Sequence, residues 1–488
     1  MNFLGLDIGT SAVKGIVVNE DQRVLAGAES PLTTQRPQPL WSEQNPEDWW
    51  LAVGQVVASL RRELGPAFGE IASIGLSGQM HGAVLLVATG RVIRPAILWN
   101  DGRAAREAKE LGDAAPDIGT IAGVPPMPGL TAPKLLWVKR HELENFQRIA
   151  RVLMPKDYVR WRMTGKFATD MCDAAGSLWL DEEKRQWAPA IIAACGLTPE
   201  RFPRLCEGTE VSGHLKRETA SEWGLRQVTP VAAGAGDAAA GAIGIGAVEA
   251  GDAFISLGTS AQYFAVTNSY RPVPGQLIHA FAHGVPGRWF QMAALLNGAS
   301  CLAWIAQVLK APDIGALLDA TERNFTGASD AMFLPYLTGE RTPHNDPHAK
   351  GVLFGLTPET TAENIVQAAL EGVAYSLADA QAILESSGTR ATSLAVTGGG
   401  SRSKFWMKLL ASALNRKLTL YSGAESGPAF GAARLARIAS TGESVAAVCT
   451  RPPVAAEIAP DVELASAYAE RLPKFRALYA ALMPLFRA

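Results

Sequence analysis

The sequence predicts an α/β protein built from two similar domains that face each other across a deep cleft. Three observations carry this. At 488 residues the chain is too long for one ordinary core. Its short apolar runs end repeatedly in clusters of polar residues, as strands of an open α/β sheet do where a ligand binds. One strand-turn-strand pattern also occurs in each half: FLGLDIGTSAVKGIVV at residues 3–18 and AFISLGTSAQYFAV at residues 253–266. Gly9-Thr10-Ser11-Ala12 is matched by Gly258-Thr259-Ser260-Ala261 within the same frame, which favours duplication of one fold over coincidence. Two such halves across a cleft are the arrangement of the actin-like ATPase superfold.

Composition narrows the partners. Lys plus Arg number 45 against 47 Asp plus Glu, so the chain has no net field to hold a polyanion, and nucleic acid is not expected. No apolar run reaches the roughly 18 residues of a membrane span, and the N-terminus enters a strand pattern directly, so a protein off the membrane is expected. The five cysteines are scattered and never form a CxxC pair. That argues against a disulfide framework or structural zinc and fits a reducing cytoplasm.

The chain opens as a β-meander: an apolar strand at 3–6, a tight turn Asp7-Ile8-Gly9-Thr10-Ser11, a second strand at 13–18, and a hairpin turn at 19–22. The first turn offers backbone N–H groups and the Thr10 and Ser11 hydroxyls to one point, a way to hold phosphate oxygens, and Lys14 adds a positive charge nearby. Asn45-Pro46-Glu47-Asp48 starts a helix, with Asn as cap, Pro at the first helical position and acids in the first turn. Trp49, Val53, Val56, Val57 and Leu60 keep a helical period, so the tryptophan pair Trp49-Trp50 belongs to a core and not to a ligand platform.

A buried strand at 71–76 ends in Ser77-Gly78-Gln79-Met80-His81-Gly82, where flanking glycines present Gln79, Met80 and His81 to a small polar ligand. A single histidine is also a common core or surface residue. A further strand at 96–99 leads into Asn100, Asp101 and Arg103, again polar groups at a strand end. From there to about residue 225 the helix patterns at 132–139 and 157–163 read as scaffold.

VAAGAGDAAAG at residues 231–241 then delivers a lone acid, Asp237, into a run of Gly and Ala. Small neighbours let a ligand or a second backbone approach closely, and an isolated charge there needs a partner or a use. Capping a helix that begins at Ala238 is the competing reading on this window alone. In the second half, Gly258 and Thr259 repeat the phosphate hairpin. An apolar strand at 394–396 runs into Thr397-Gly398-Gly399-Gly400-Ser401-Arg402-Ser403 and a helix, an anion site in which Gly399, Gly400 and Ser403 border a nucleotide, unless the glycines are only a flexible turn. Residues 314–331 carry no chemical signal, and 465–486 read as a helix.

Taken together, these segments resemble the FGGY carbohydrate kinases along essentially the full chain. The likeness is carried by DIGTSAVK at Asp7, PLWSEQNPEDWW at Pro39, SGQMHG at Ser77, PAILWNDGR at Pro95, PGLTAPKLLWVKRHE at Pro128, MPKDYVRWRMTG at Met154, FLPYLTGERTPHNDP at Phe333, GVLFGLTPETTAENIVQAALEGVAYSL at Gly351 and TGGGSRS at Thr397. Within the family, SGQMHG and WNDGR point to the branch acting on D-xylulose over those acting on glycerol, gluconate or ribulose.

The resemblance implies two ribonuclease-H-like domains, residues 1–245 with the sugar site and first phosphate hairpin and residues 246–488 with the nucleotide site, the terminal helix having the option of packing back on the first. It implies ATP and Mg2+ in the cleft, Asp237 as general base toward the sugar O5 hydroxyl, Asp7 near the metal-bound phosphates and reaching the metal through water, and Met80 and His81 in the sugar pocket. The partners would be a small sugar and ATP, with oligomeric state open and a homodimer one option. One departure stands out: many relatives carry Asn or Gln after the catalytic Asp, where this chain has Ala238. Losing one neutral hydrogen bond is worth roughly 0.5 to 1.5 kcal/mol, enough to alter sugar affinity. Another ketose or polyol kinase is the nearest alternative. A non-catalytic actin-like sugar sensor is the alternative from a different class, and it would not need Asp237 beside the two polar clusters.

Overall fold

The computed structural model describes residues 1–423 and 427–486. In the first half, β1 (Asn2–Ile8), β2 (Ala12–Asn19) and β3 (Val24–Pro31) form the expected meander, followed by α1 (Pro46–Leu64) and β4 (Ile71–Gly78). Further along come α2 (Pro155–Thr164), α3 (Met171–Ala175), β5 (Val211–His214), β6 (Pro230–Ala232), β7 (Ala235–Gly236) and α4 (Asp237–Gly244). The sheet order is β5-β6-β4-β1-β2-β3, with β7 also beside β4. β1 pairs antiparallel with β2 and parallel with β4. It is buried along its whole length, which is why it reads as a continuous apolar run with Asp7 the one acid in it.

The second half repeats this plan. β8 (Asp252–Leu257), β9 (Ala261–Thr267), β10 (Ile278–Ala282) and β11 (Trp289–Leu295) are followed by α5 (Ala362–Ser386), β12 (Ser393–Thr397), α6 (Lys404–Leu414), β13 (Leu418–Tyr421), α7 (Gly427–Thr441), β14 (Val454–Ile458) and α8 (Val462–Phe486). The sheet order is β10-β11-β9-β8-β12-β13-β14, in which β8 pairs antiparallel with β9 and parallel with β12, as β1 does with β2 and β4. The Gly-Thr-Ser-Ala match therefore marks two equivalent hairpins in two equivalent sheets.

Local expectations translate into structure where local chemistry decides them. The Asn45 side chain accepts from the Glu47 N–H at the head of α1, with Pro46 at its first position, and Trp49 is fully buried against Val53, Val56 and Leu60 in the first core. Two expectations need correction. The strand expected at 96–99 is a two-residue segment, Ala96–Ile97, paired with Glu43–Gln44 and bridged by Ile97 to Ala83, and lying outside the main sheet. The terminal helix α8 packs on α6 and on the strand Met332–Pro335, not on the first domain, because Leu464, Tyr468, Phe475 and Tyr479 complete the second core. The helix that does cross over is α7.

Although it comes from the second half of the chain, α7 lies on β1 and β4 of the first sheet and against α4. Its approach is possible only because glycine stands at three contact points. A Cβ added at Gly5 would lie 1.9 Å from the Ala429 carbonyl oxygen, one at Gly75 would lie 1.8 Å from that of Ala432, and one at Gly431 would lie 1.8 Å from that of Ala240. Arg434 of α7 donates to the Ile243 and Thr450 carbonyls at 2.8 and 2.7 Å, fastening it to the end of α4. Among the described residues no helix is long and apolar enough to cross a membrane.

Candidate active site

Three parallel strand ends build the centre of the cleft. Asp7 of β1 pairs with Ser77 of β4, which pairs with Ala235 of β7; one step on, Ile8, Gly78 and Gly236 form the next row. Asp237 follows Gly236 and is the first residue of α4. The two acids Asp7 and Asp237 thus emerge at one edge of one sheet, held by strand register and not by loops.

Their electrostatics follow from that placement. Burial pushes the Asp7 carboxyl up to about 7, and repulsion from Asp237 adds to the rise, while Ser77 and Lys14 on the flanking strands pull it down. Asp237 is reached by solvent along the cleft yet ringed by protein; dehydration pushes its carboxyl up to about 6, against the pull of the Ala238 N–H, which donates to Oδ1 at 2.8 Å. The helix N-cap is Gly236, so Asp237 stands inside the first turn and uses a helix N–H without being the cap. One carboxylate oxygen is tied to the helix and the other faces the cleft.

The Gln-Met-His segment divides. Gln79 is buried and its amide is consumed internally: Oε1 accepts from Thr10 Oγ1 at 2.9 Å, and Nε2 donates to Gln44 Oε1 at 2.9 Å and to the Gly9 carbonyl at 3.4 Å. Its position makes it a strut under the first hairpin turn. Met80 fills the space left by Gly236, its Sδ 2.6 Å from where a Cβ there would be. His81 has φ 69°, an uncommon conformation for a residue with a side chain. Two donors pin its carbonyl, Lys134 Nζ at 2.8 Å and Thr131 Oγ1 at 3.1 Å. Burial lowers the His81 ring to about 3, so it is neutral; with Nδ1 donating to the Gly176 carbonyl at 2.8 Å, Nε2 is left as an acceptor.

The Asn-Asp-Arg cluster also divides. Asp101 and Arg103 are spent on each other and on the protein. Asp101 accepts from Arg103 Nε at 2.9 Å, from Arg103 Nη2 at 2.6 Å and from the Ser42 N–H at 2.6 Å, while the guanidinium lies 3.6 Å over the Trp41 ring. This corrects the expectation that both face a ligand: they brace the wall behind it. Asn100 keeps a buried Oδ1 without a partner and so retains capacity for one. Thr10 Oγ1 is engaged by Gln79 and by Trp99 Nε1, whereas Ser11 and Lys14 are exposed beside the turn.

On the second-half side, a cavity of about 550 Å³ runs from Asp237 and Ala238 past the second hairpin to an apolar slot. Gly258, Ser260 and Gln262 line it on the hairpin side, Gly398, Gly399 and Arg402 on the glycine-rich turn, and Phe254, Val396, Leu420 and Tyr421 form the slot. Its lining joins glycine N–H groups, Ser260, Ser401 and Arg402 to the apolar side chains of the slot, a chemistry suited to a nucleotide. Gly400 is buried beneath Leu257 and Trp406 and supports the turn from below. Ser403 caps α6, accepting from the Trp406 N–H at 3.1 Å, and Thr259 is exposed with its carbonyl accepting from Gly298 and Ser300. Gln262, Arg402 and Tyr421 carried no signal as isolated letters; only the fold brings them to the cleft.

Fold and site together define a two-domain phosphotransferase of the actin-like ATPase fold, with paired acids where the two halves meet. Residues 2–244 match the N-terminal domain, and residues 253–440 the C-terminal domain, of the FGGY family of carbohydrate kinases. The chain is 46% identical over 484 residues to a xylulose kinase of Escherichia coli (strain K12), covering 99% of both proteins. Among solved structures it is similar to a xyloylose kinase from Brucella ovis (46% identity, TM-score 0.97, covering 99% of this chain and 100% of that one). It is also similar to a xylulose kinase from Rhodospirillum rubrum (29% identity, TM-score 0.93, full coverage of both, 100%). The chain belongs to the FGGY family of carbohydrate kinases, and it is an enzyme that uses ATP to phosphorylate a sugar.

Proposed function

We propose that the reaction is transfer of the γ-phosphoryl group of ATP to the primary 5-hydroxyl of D-xylulose, giving D-xylulose 5-phosphate and ADP. The observation that carries this reading is Asp237, which lines the nucleotide cavity directly after Gly236, where Met80 packs, with one oxygen tied to α4 and its carboxyl raised toward neutrality. Relatives named xylulose kinase at up to 46% identity support the choice of sugar.

In this mechanism Asp237 accepts the proton of the 5-hydroxyl as the bond from O5 to the γ-phosphorus forms and the bond to the β–γ bridging oxygen breaks. The bridging oxygen leaves with ADP. Such a base contributes about 10² to 10⁴ in rate. The hairpin turns at Gly9–Ser11 and Gly258–Ser260 place N–H groups and hydroxyls around the phosphates, with Lys14 and Arg402 as nearby positive charge. The apolar slot at Phe254, Leu420 and Tyr421 receives the base. His81 Nε2 accepts from a sugar hydroxyl, and Asn100 Oδ1 is available to another.

The residues also fit a divalent cation. Asp7 Oδ1 is buried without a hydrogen-bond partner and its carboxyl is raised by burial and, after that, by Asp237, so a hard cation held by Asp7 would relieve both costs. Bound there with Asp7, directly or through water, Mg2+ would neutralise phosphate oxygen charge. Five free, buried cysteines fit a reducing cytoplasm as the site of action.

ADP release measured with D-xylulose, ribulose, gluconate and glycerol tests the reading. Highest kcat/KM on D-xylulose is expected, and preference for another of the four would reassign the substrate while leaving the chemistry. The same assay across pH checks the base. Asp237 must be ionised to accept a proton, so kcat/KM should fall about tenfold per unit as pH drops below about 6 and level off on the alkaline side. A flat profile down to about pH 5 would remove a titrating base near 6.

A further inference from the structure

Five charged side chains lie under the active site with no exposure to solvent: Lys156, Asp157 and Arg160 of α2, Asp170 at the cap of α3, and Asp173 within it. Lys156 Nζ contacts Asp170 at 2.5 Å, Asp157 at 2.9 Å and Asp173 at 3.0 Å, and Arg160 pairs with Asp157. One oxygen from each of the three carboxylates lies within 4.8 Å of the others, a spacing suited to a metal ion, and the ammonium of Lys156 stands in the ion's place.

Such a group is weak evidence of a stabilising role. Apolar residues of the same volume often serve a core as well or better, because desolvating charges is costly. What charges add is directional restraint, and here, beside an Arg160 bond to the Ala168 carbonyl, several restraints lead toward the reacting centre. Arg160 donates to the Ala233 carbonyl, in the link between β6 and β7 that feeds Asp237. Lys156 backs Gly78 at the end of β4; its Cβ is 3.2 Å from where a Cβ there would stand. Asp170 Oδ1 accepts from the Asp173 N–H at 3.0 Å and so sets α3. Along α3 the Cys172 thiol lies against the backbone of Gly236, and just beyond it the Gly176 carbonyl accepts the His81 Nδ1–H that fixes the ring's tautomer.

We propose that the buried group of Lys156, Arg160, Asp157, Asp170 and Asp173 is a positioning element for phosphoryl transfer, holding the Asp237 strand and the His81 ring in register through α3; this rests on the sugar-kinase reading above. None of the five touches substrate.

Burial, with Asp157 and Asp170 adding to it, pushes the Asp173 carboxyl up to about 8, so at neutral pH it is mostly protonated and Asp173→Asn leaves the charge balance nearly unchanged; the variant is expected to fold with an unchanged or higher Tm. It should still lower kcat/KM for D-xylulose about tenfold, since a small misplacement of reacting groups is costly, while KM for ATP stays within about twofold. Lys156→Arg keeps the charge but not the point geometry, and should show the same split in milder form. If both fold and keep kcat and both KM values within about twofold of the parent, the inference is overturned. Equal damage to the sugar and ATP KM values would likewise overturn it, marking a merely structural role. Should Asp173→Asn not fold, Lys156→Arg alone decides by the same criteria. An unsubstituted protein without sugar-dependent ADP release would sink the parent reading, whereas an active one with unaltered variants sinks only this inference.

Discussion

Replacing Asp237 with asparagine should abolish most turnover, about 10² to 10⁴ in kcat, while leaving fold and nucleotide binding in place. The amide keeps the shape and can still accept from the Ala238 N–H, so α4 loses nothing at its first turn. What it lacks is basicity. The sign of the stability change separates this from a folding defect. A carboxyl raised from its ordinary value to about 6 is disfavoured in its ionised form by the folded state, so at neutral pH the native charge detracts from stability; that adverse contribution fades as pH falls through about 6. The neutral amide escapes it, so Tm should match or exceed the parent's at neutral pH. Calorimetry with and without ADP, beside coupled ADP release, measures all three quantities. Near-parental turnover in this variant would take the base role from Asp237.

The second large effect lies at the seat of α7. Gly75→Ala places a methyl group 1.8 Å from the Ala432 carbonyl oxygen, a separation at which one backbone must move. Overpacking of this kind costs typically 1 to 3 kcal/mol and occasionally more, and since both partners here are backbone we expect about 3 kcal/mol or more. In a protein of this size that is a drop of several degrees in Tm. Gly54→Ala in α1 is the control: a Cβ there meets nothing within 4 Å, so the same substitution should be neutral or stabilising by up to about 1 kcal/mol. Equal Tm values for the two variants would show that α7 is not seated as described.

These contacts also mark what the sequence could and could not convey. Asp237 and the paired hairpins were legible because their signals are local: an acid amid small residues, and Gly-Thr-Ser between apolar strands. Gln79, Asp101 and Arg103 were not, since a polar residue at a strand end looks the same whether its partner is a sugar or Thr10, Ser42 and Glu43. Ser403 reads as a phosphate ligand or as a helix cap from the same letters, and the second role is the one its hydroxyl fills. The apolar slot drew on ordinary strand residues, and Lys156, Asp157 and Arg160 read as charges of a scaffold helix until burial showed them facing inward. The crossing of α7 is invisible locally because glycine and alanine specify close approach without naming the partner.

That crossing has a consequence for how the chain is made. Synthesis runs from the N-terminus, and domains generally fold as units as they emerge. Here the first sheet receives its covering helix only when residues 427–441 have left the ribosome, long after β1 and β4. Until then the glycine-notched faces of those strands stay open, so the half that carries both acids completes its folding after most of the second half exists.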